Sequence, residues 1–299
     1  DSSLQDMTFE EFMNMYIEHK ETHREYSTVR SIRYSWNKFS ILNDMAIKDI
    51  TSLHTQNCVD EIAREGLSYN TIKSYVALMN GAFNYAIDKK IIKDNPMQGL
   101  IFPDDKSFEK IKALDKWEFE DLLSKVKNKR YRMIAMIAGT CGLRIGEIIG
   151  LTWDCIDFEN ATMTVNKQWK EVKKGKWDFG PVKRKNSNRT VPIPPRTLKE
   201  LAKYKSNIPI HISNRIFYQN VSIKNLGQNL SNAFKKVGYN ITVHELRHTY
   251  ATLLIANGVD FKTVAKLMGH DVEQTLKTYS HVTDEMMNKA TNTLKTIFK

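Results

Sequence analysis

The sequence is poor in cysteine and has no long apolar run. Its 299 residues include three cysteines, which lie far apart and are odd in number, so a disulfide framework or a cysteine-based zinc site is not expected. No apolar stretch approaches the roughly 20 residues of a membrane-spanning helix, and the first residues lack a charged-then-apolar signal segment. These absences predict a cytoplasmic protein with no membrane partner.

Positive charge is in excess. Lys and Arg number 45 against 34 Asp and Glu, which gives a formal net charge of +11. This balance favours polyanionic partners, above all nucleic acids. The length fits two domains of ordinary size. Because the chain starts at Asp1 rather than at a methionine, we also expect that further residues precede it in the full protein.

The first hundred residues carry the 3.6-residue rhythm of helices throughout. Thr8 followed by Glu11 is typical of a capping box at a helix start, and Asn95-Pro96 is expected to end the last helix of this region. We predict a helical domain over residues 1–103 and a linker over 104–112, in a stretch of weak periodicity and mixed charge. The basic residues on the predicted helix surfaces could face DNA or only solvent.

From residue 113 to 299 the sequence predicts a second, mixed domain. A helix begins after Asp115 with a capping pattern, and helical periodicity continues to Leu151. Short β runs separated by a basic, hairpin-like segment follow from about residue 154 to 193, and helices resume afterwards. The predicted fold class is therefore α+β, mainly α, with a small antiparallel sheet and a β-hairpin.

Residues 244–248, HELRH, fit two different chemistries. His-Glu-x-x-His on a helix is the zinc-peptidase pattern, but a catalytic zinc needs a third protein ligand, and the following TYATLLIANG supplies none in register. Asp271 and Glu273 lie further on, with no known zinc pattern around them. His-x-x-Arg places an imidazole and a guanidinium on one helical face, which suits a phosphate. We therefore predict no metal site.

Cleavage of a phosphodiester without a metal requires fixed cations, a nucleophile and an acid that converge in space. Arg144 stands at a predicted helix start and Arg247 lies in HELRH, while His270 and Tyr279 stand in KLMGHDVEQTLKTYSHV. Singly, each has an ordinary explanation. An arginine such as Arg144 often forms a salt bridge, here with Glu147, and a lone tyrosine is most often part of a core.

The order of these elements resembles that of the tyrosine recombinase family, which includes phage and transposon integrases and Xer-type recombinases. Gly-Leu-Arg-x-Gly-Glu, a basic hairpin, His-x-x-Arg-His, Leu-x-Gly-His and a tyrosine follow one another along the chain. The resemblance covers nearly all of it and implies a SAM-like core-binding domain followed by a catalytic domain. It also implies that DNA is cleaved and rejoined through a 3′-phosphotyrosyl intermediate and a Holliday junction, without a cofactor.

The resemblance implies a role at each matching position. Arg144 and Arg247 would clamp the scissile phosphate, with planar guanidiniums that match the charge of the transition state. His244 would assist proton movement at the nucleophile, and His270 would donate a hydrogen bond to a non-bridging oxygen. Tyr279 would be the nucleophile.

The family's remaining group, a lysine that protonates the departing 5′ oxygen, belongs on the β-hairpin. Lys183 and Lys185 both fit, because alternation along a strand points them to one face; we choose Lys183, although Arg184 departs from the family pattern. His248 would only pack or support the site from behind. The predicted DNA contacts are Lys170, Lys173, Lys174, Lys185, Arg189, Arg30, Arg33 and Lys73, although an exposed charged hairpin would look the same.

The predicted function is site-specific recombination that integrates and excises a mobile element. The alternatives are a Xer-type chromosome or plasmid dimer resolvase and, more remotely, a type IB topoisomerase-like enzyme. Expected partners are double-stranded DNA, further copies of the chain in a dimer to tetramer, and an accessory DNA-bending protein. Met286, Ala290, Leu294 and Phe298 form an apolar stripe that would dock on a neighbouring protomer or, alternatively, on its own domain.

Overall fold

The computed structural model of the chain describes residues 6–105, 112–182, 187–209, 211–218 and 222–280. The chain divides into two compact units, Asp1–Glu109 with Val172–Lys174, and Lys110–Glu171 with Gly175–Lys299. Three cysteines, Cys58, Cys141 and Cys155, are buried as free thiols. Among the described residues, no helix is both long and apolar enough to cross a membrane.

The N-terminal unit is built from four main helices. They are α1 (Phe9–His23), α2 (Tyr26–Asn37), α3 (Ser52–Arg64) and α4 (Tyr69–Asp88). The predicted capping box at the start of α1 is confirmed, since Thr8 Oγ1 accepts from the Glu11 N–H at 3.2 Å and Glu11 Oε2 accepts from the Thr8 N–H at 2.8 Å. Apolar side chains from all four helices form one core.

The end of α4 differs from the prediction. The helix stops at Asp88 rather than at Asn95-Pro96, because Lys90 adopts a left-handed conformation with a φ of 60°. The Ile91 N–H then donates back to the Ala86 carbonyl at 2.9 Å, as in a Schellman motif. This reversal returns the side chain of Ile91 to the core, where it is buried.

Beyond the N-terminal helices, the described part of the chain forms eight α-helices and five strands. The helices are α5 (Lys116–Lys125), α6 (Lys129–Cys141), α7 (Ile145–Ile149), α8 (Pro195–Ser206), α9 (Ile223–Lys236), α10 (Val243–Ala256), α11 (Phe261–Met268) and α12 (Val272–Tyr279). The strands are β1 (Ile156–Asp157), β2 (Thr162–Val165), β3 (Lys167–Lys173), β4 (Lys176–Pro181) and β5 (Arg189–Pro192). The predicted α+β, mainly α fold class is confirmed.

The strands form a three-stranded antiparallel sheet and a separate hairpin. In the sheet β2 is central, with Met163 opposite Ile156 of β1 and Val191 of β5; β3 pairs with β4. All three of these sheet residues point into the main core, as the two-residue period of a half-buried strand requires. The core is centred on α6, which packs against α10. Of these two helices, α10 carries His244, Arg247 and His248, and the end of α6 leads directly into Arg144.

Candidate active site

Arg144 is positioned at a sharp break between two helices. α6 stops at Gly142, whose φ of 69° is left-handed and favours glycine; a Cβ there would lie 2.4 Å from the ring of Tyr250. Arg144 then caps α7, with its backbone N–H and its Nη1 each 2.9 Å from a carboxylate oxygen of Glu147. Its Nη2 donates to the carbonyl of Gly269 at 3.3 Å. The guanidinium is therefore fixed in direction, although 28% of the side chain remains exposed.

Glu147 is the centre of a buried cluster of charges. Besides Arg144, it accepts from Arg189 at 3.0 and 3.3 Å, and Nη1 of Arg247 lies 3.7 Å from its Oε2. Burial acts to raise the pKa of Glu147, but the arginines, Arg189 first, more than offset this and hold the pKa below its ordinary value. One ionised carboxylate thus contacts three guanidiniums, and it holds their positive charges close together.

Arg189 does not fit the expected DNA contact. Its side chain is 5% exposed, its Nε donates to the Leu267 carbonyl at 2.6 Å, and its Nη1 donates to the Ser187 carbonyl at 2.9 Å as well as to Glu147. Because its donors point into the protein, Arg189 braces Glu147 rather than facing a ligand. The basic pattern at 183–189 could not distinguish these roles.

Arg247, in α10, is fully buried. Nη1 donates to the Gly142 carbonyl at 2.7 Å, and Nη2 donates to the Met268 carbonyl at 2.6 Å and lies 2.8 Å from His270 Nε2. Burial, followed by the charge of Arg144, lowers the pKa of Arg247 to about 9, so it stays protonated at neutral pH. Since arginine only donates, His270 Nε2 accepts, and the neutral ring carries its proton on Nδ1.

Two donors of this cluster lack an acceptor. Arg247 Nε and His270 Nδ1 are buried without a hydrogen-bond partner among the described residues. Burial, and next the charge of Arg247, lowers the pKa of His270 to about 3, which keeps the ring neutral. An unsatisfied buried donor costs about 1–3 kcal/mol and is uncommon. Anionic oxygens that reached these atoms would satisfy them, so the cluster suits a phosphate.

Tyr279 is the last residue of α12 and is fully buried. Its hydroxyl lies 2.5 Å from Nδ1 of His248. Burial raises the pKa of Tyr279 well above its ordinary value, with Arg247 offsetting part of the rise, while burial, and next His244, lowers the pKa of His248 to about 4. The phenol therefore keeps its proton and donates to a neutral imidazole. His248 thus supports the site through direct contact with the hydroxyl of Tyr279, a more specific position than packing alone.

The other residues of HELRH have different positions. His244 is exposed on the first turn of α10, with its ring centroid 4.6 Å from that of His248. Glu245 Oε2 accepts from the Thr242 N–H at 2.6 Å, and Thr242 Oγ1 accepts from the Glu245 N–H at 3.3 Å. The glutamate of the zinc-peptidase pattern is thus a helix cap. In the part of the chain that the structure describes, no three His, Cys, Asp or Glu side chains group as metal ligands.

The remaining predicted site residues lie on the surface or outside the described residues. Lys183 and Lys185 are outside them, as is the predicted docking stripe from Met286 to Phe298, so these assignments stay predictions. Lys170 is half-buried in β3. The exposed members of the predicted DNA-contact set are Arg30, Arg33, Lys73, Lys173 and Lys174.

Known proteins of one family match most of the chain. The phage integrase family matches residues 112–286, and the phage integrase N-terminal SAM-like domain matches residues 8–63. The XerC-like tyrosine recombinase of Caldanaerobacter subterraneus subsp. tengcongensis is 30% identical over 292 residues, with 87% of this chain and 75% of that protein covered. The chain belongs to the phage integrase family of tyrosine recombinases. The predicted resemblance and enzyme class are confirmed.

Other known proteins resemble this tyrosine recombinase in sequence or in fold. A tyrosine recombinase of Thermosipho africanus is 27% identical over 292 residues, covering 92% of this chain and 95% of that one. The integrase of transposon Tn1549, solved with a circular intermediate DNA, has a TM-score of 0.80 at 22% identity, covering 95% of this chain and 99% of that chain. A lambda integrase dimer bound to a core site has a TM-score of 0.70 at 18% identity, with 90% and 95% covered. These two structures establish a shared fold.

Proposed function

We propose that this tyrosine recombinase is a site-specific integrase, which inserts and excises a mobile element by cleaving and rejoining double-stranded DNA. The reaction passes through a 3′-phosphotyrosyl intermediate and a Holliday junction. The observation that carries the proposal is the convergence of Arg144, Arg247 and His270, with two buried donors left for an anion. The charge of Arg247 also acts on the hydroxyl of Tyr279.

Each step assigns one role to one group. The Tyr279 hydroxyl loses its proton with the help of His244, to which we assign this transfer, and the oxygen attacks phosphorus. The bond to the 5′ oxygen breaks, so a 3′-phosphotyrosyl bond replaces the phosphodiester. Arg144 and Arg247 bind the charge that develops on the non-bridging oxygens, and His270 donates Nδ1–H to one of them. The departing 5′ oxygen takes a proton, and we assign Lys183 as its donor. A 5′-hydroxyl from a partner strand reverses the chemistry, so no external energy source is needed.

Strand exchange between two DNA sites requires several active sites, so we propose a dimer to tetramer on DNA, with an accessory DNA-bending protein. A lambda integrase tetramer has been solved bound to a Holliday junction, and this chain shares the integrase fold. The C-terminal stripe would dock on the neighbouring protomer. A chain that ends after Asp284 should then bind one half-site nearly unchanged, yet lose cooperative assembly on paired sites in gel-shift titrations. Equal two-site cooperativity in both chains would contradict the docking role.

A dimer resolvase is the second candidate, because the matched relatives include proteins named XerC-like and XerA. The two functions differ in their DNA substrates. Excision of a marked element from between its own ends supports the integrase. Recombination confined to two copies of one chromosomal site supports the resolvase.

The chemistry is tested with a nicked suicide duplex, on which cleavage traps the covalent product. The wild-type chain should form a protein–DNA adduct that survives denaturing electrophoresis and chelators. Tyr279→Phe should bind the same DNA but form no adduct, and the half-buried Tyr204→Phe serves as the matched control with wild-type yield. Adduct formation at the wild-type level by Tyr279→Phe would remove this residue from the mechanism.

A further inference from the structure

His248 has no step in the reaction assigned above, yet it holds the hydroxyl of the nucleophile. We propose that His248 is a positioning residue, whose Nδ1 accepts the hydrogen bond of Tyr279 and directs its oxygen toward the phosphate bound by Arg144 and Arg247. The proposal rests on the proposed function, since it requires Tyr279 to be the nucleophile.

The helices that carry these residues differ in how they are tied to the arginine cluster. His248 directly follows Arg247 in α10, and Arg247 is fixed by the carbonyls of Gly142 and Met268 at 2.7 and 2.6 Å. The imidazole of His248 therefore has a defined position relative to Arg247. Tyr279 belongs to a different helix, α12, and the 2.5 Å hydrogen bond connects its reacting atom to α10.

The ring of Tyr279 packs in an apolar environment. Its ring belongs to a small core with Tyr250, Ile255, Val264 and Met268. Apolar packing is non-directional, so it limits the volume of the ring without selecting the direction of the hydroxyl. In-line attack demands that direction, because the oxygen must approach phosphorus to within about 3–3.5 Å along one line. The directional restraint comes from His248.

The protonation states suit this role. Burial and the neighbouring His244 and Arg247 lower the pKa of His248 to about 4, so its Nδ1 has a free lone pair at neutral pH. His244, the imidazole that the resemblance places at the nucleophile, stands one turn earlier and is exposed. The ring in contact with the hydroxyl is that of His248, whose centroid lies 5.6 Å from that of Tyr279.

The test compares three substitutions at one position on the suicide duplex. The amide oxygen of His248→Asn falls near the place of Nδ1, that of His248→Gln falls near Nε2, and His248→Ala has neither. The rate of single-turnover cleavage at saturating DNA should fall about tenfold or more in His248→Ala. The DNA concentration at half-saturation should stay within about twofold of the wild-type value. His248→Asn should recover most of the rate and His248→Gln little of it. His211→Asn, which alters an imidazole bonded to Ser213, should cleave at the wild-type rate.

The outcomes separate cleanly. A wild-type rate in His248→Ala overturns the proposal, and so does an equal loss in the Asn and Gln variants when both melt like the wild type, because the acceptor position would then be irrelevant. If the Ala variant does not fold, the Asn and Gln pair still decides. Failure of the proposed function is a different result, in which the wild-type chain itself forms no Tyr279-dependent adduct.

Discussion

The two units of this recombinase hold their positive charges differently. In the C-terminal unit Arg247 is fully buried, and its contacts are backbone carbonyls, an imidazole and Glu147. In the N-terminal unit Arg33 is about half exposed and pairs with Glu21 at 2.8 Å, and Lys73 is exposed. A buried guanidinium is oriented before any ligand arrives, which favours transition-state stabilisation. An exposed one is screened by salt and serves mainly affinity.

Removal of the carboxylate at the centre of the buried cluster is the strongest way to break this contrast. Glu147→Gln leaves Arg144, Arg189 and Arg247 without their shared negative charge, and loss of one partner of a buried ion pair costs about 3–5 kcal/mol. Unfolding in urea should show this loss, and adduct formation should fall with it.

The matched control is Glu21→Gln, which removes the partner of the exposed Arg33. Exposed pairs contribute about 0–1 kcal/mol. Equal losses in the two variants would mean that burial does not distinguish the clusters.

The backbone that presents Arg144 offers the next largest effect. Gly142→Ala places a methyl group 2.4 Å from the Tyr250 ring at a left-handed φ of 69°, so strain and overpacking add to about 2–5 kcal/mol. Gly175→Ala has a φ of 74° with nothing within 4 Å of the new carbon, and only the strain of about 1–2 kcal/mol remains. Urea unfolding of both variants separates the two terms, and identical losses would show that Tyr250 moves aside without cost.

Contacts within one turn of helix could be predicted from the sequence, whereas contacts between residues far apart in the chain could not. The cap at Thr8 follows from residues three apart, because a capping box involves only one turn of helix. Glu147 was foreseen as a partner of Arg144 for the same reason, but its bonds to Arg189 span 42 residues. Those groups meet through the tertiary fold, in which the Arg189 side chain of β5 reaches Glu147 of α7 and the Leu267 carbonyl of α11. The contact of His248 with Tyr279 spans 31 residues, and a helical spacing rule cannot show it.

Lowered pH should weaken the buried cluster. The folded pKa values of His248 and His270, about 4 and about 3, lie below their ordinary value of 6.5. The unfolded chain therefore binds protons that the folded chain does not, and the free energy of unfolding falls as pH falls from about 6.5 toward 4. The lowered pKa of Glu147 acts only below its ordinary 4.5. Urea midpoints between pH 7.5 and 5 should decline, with a shallower decline in His270→Asn; a flat profile would contradict neutral buried rings.

The smallest expected effects on stability belong to the exposed basic residues. Their substitution should instead change the salt dependence of DNA binding. Lys73→Ala should change the free energy of unfolding by no more than about 0.5 kcal/mol, since it removes no buried contact. If Lys73 contacts a DNA phosphate, as we propose, the slope of log affinity against log salt should become shallower by about 0.9, because one fewer counterion is released. Arg33→Ala should also make this slope shallower. The change should be smaller than for Lys73→Ala, because Arg33 of the wild type must first leave its ion pair with Glu21 to bind a phosphate. Fluorescence anisotropy titrations of one half-site at several salt concentrations measure the slope, with Tyr204→Phe as the control. A slope unchanged in either variant would assign that residue to a solvated surface rather than to the DNA interface.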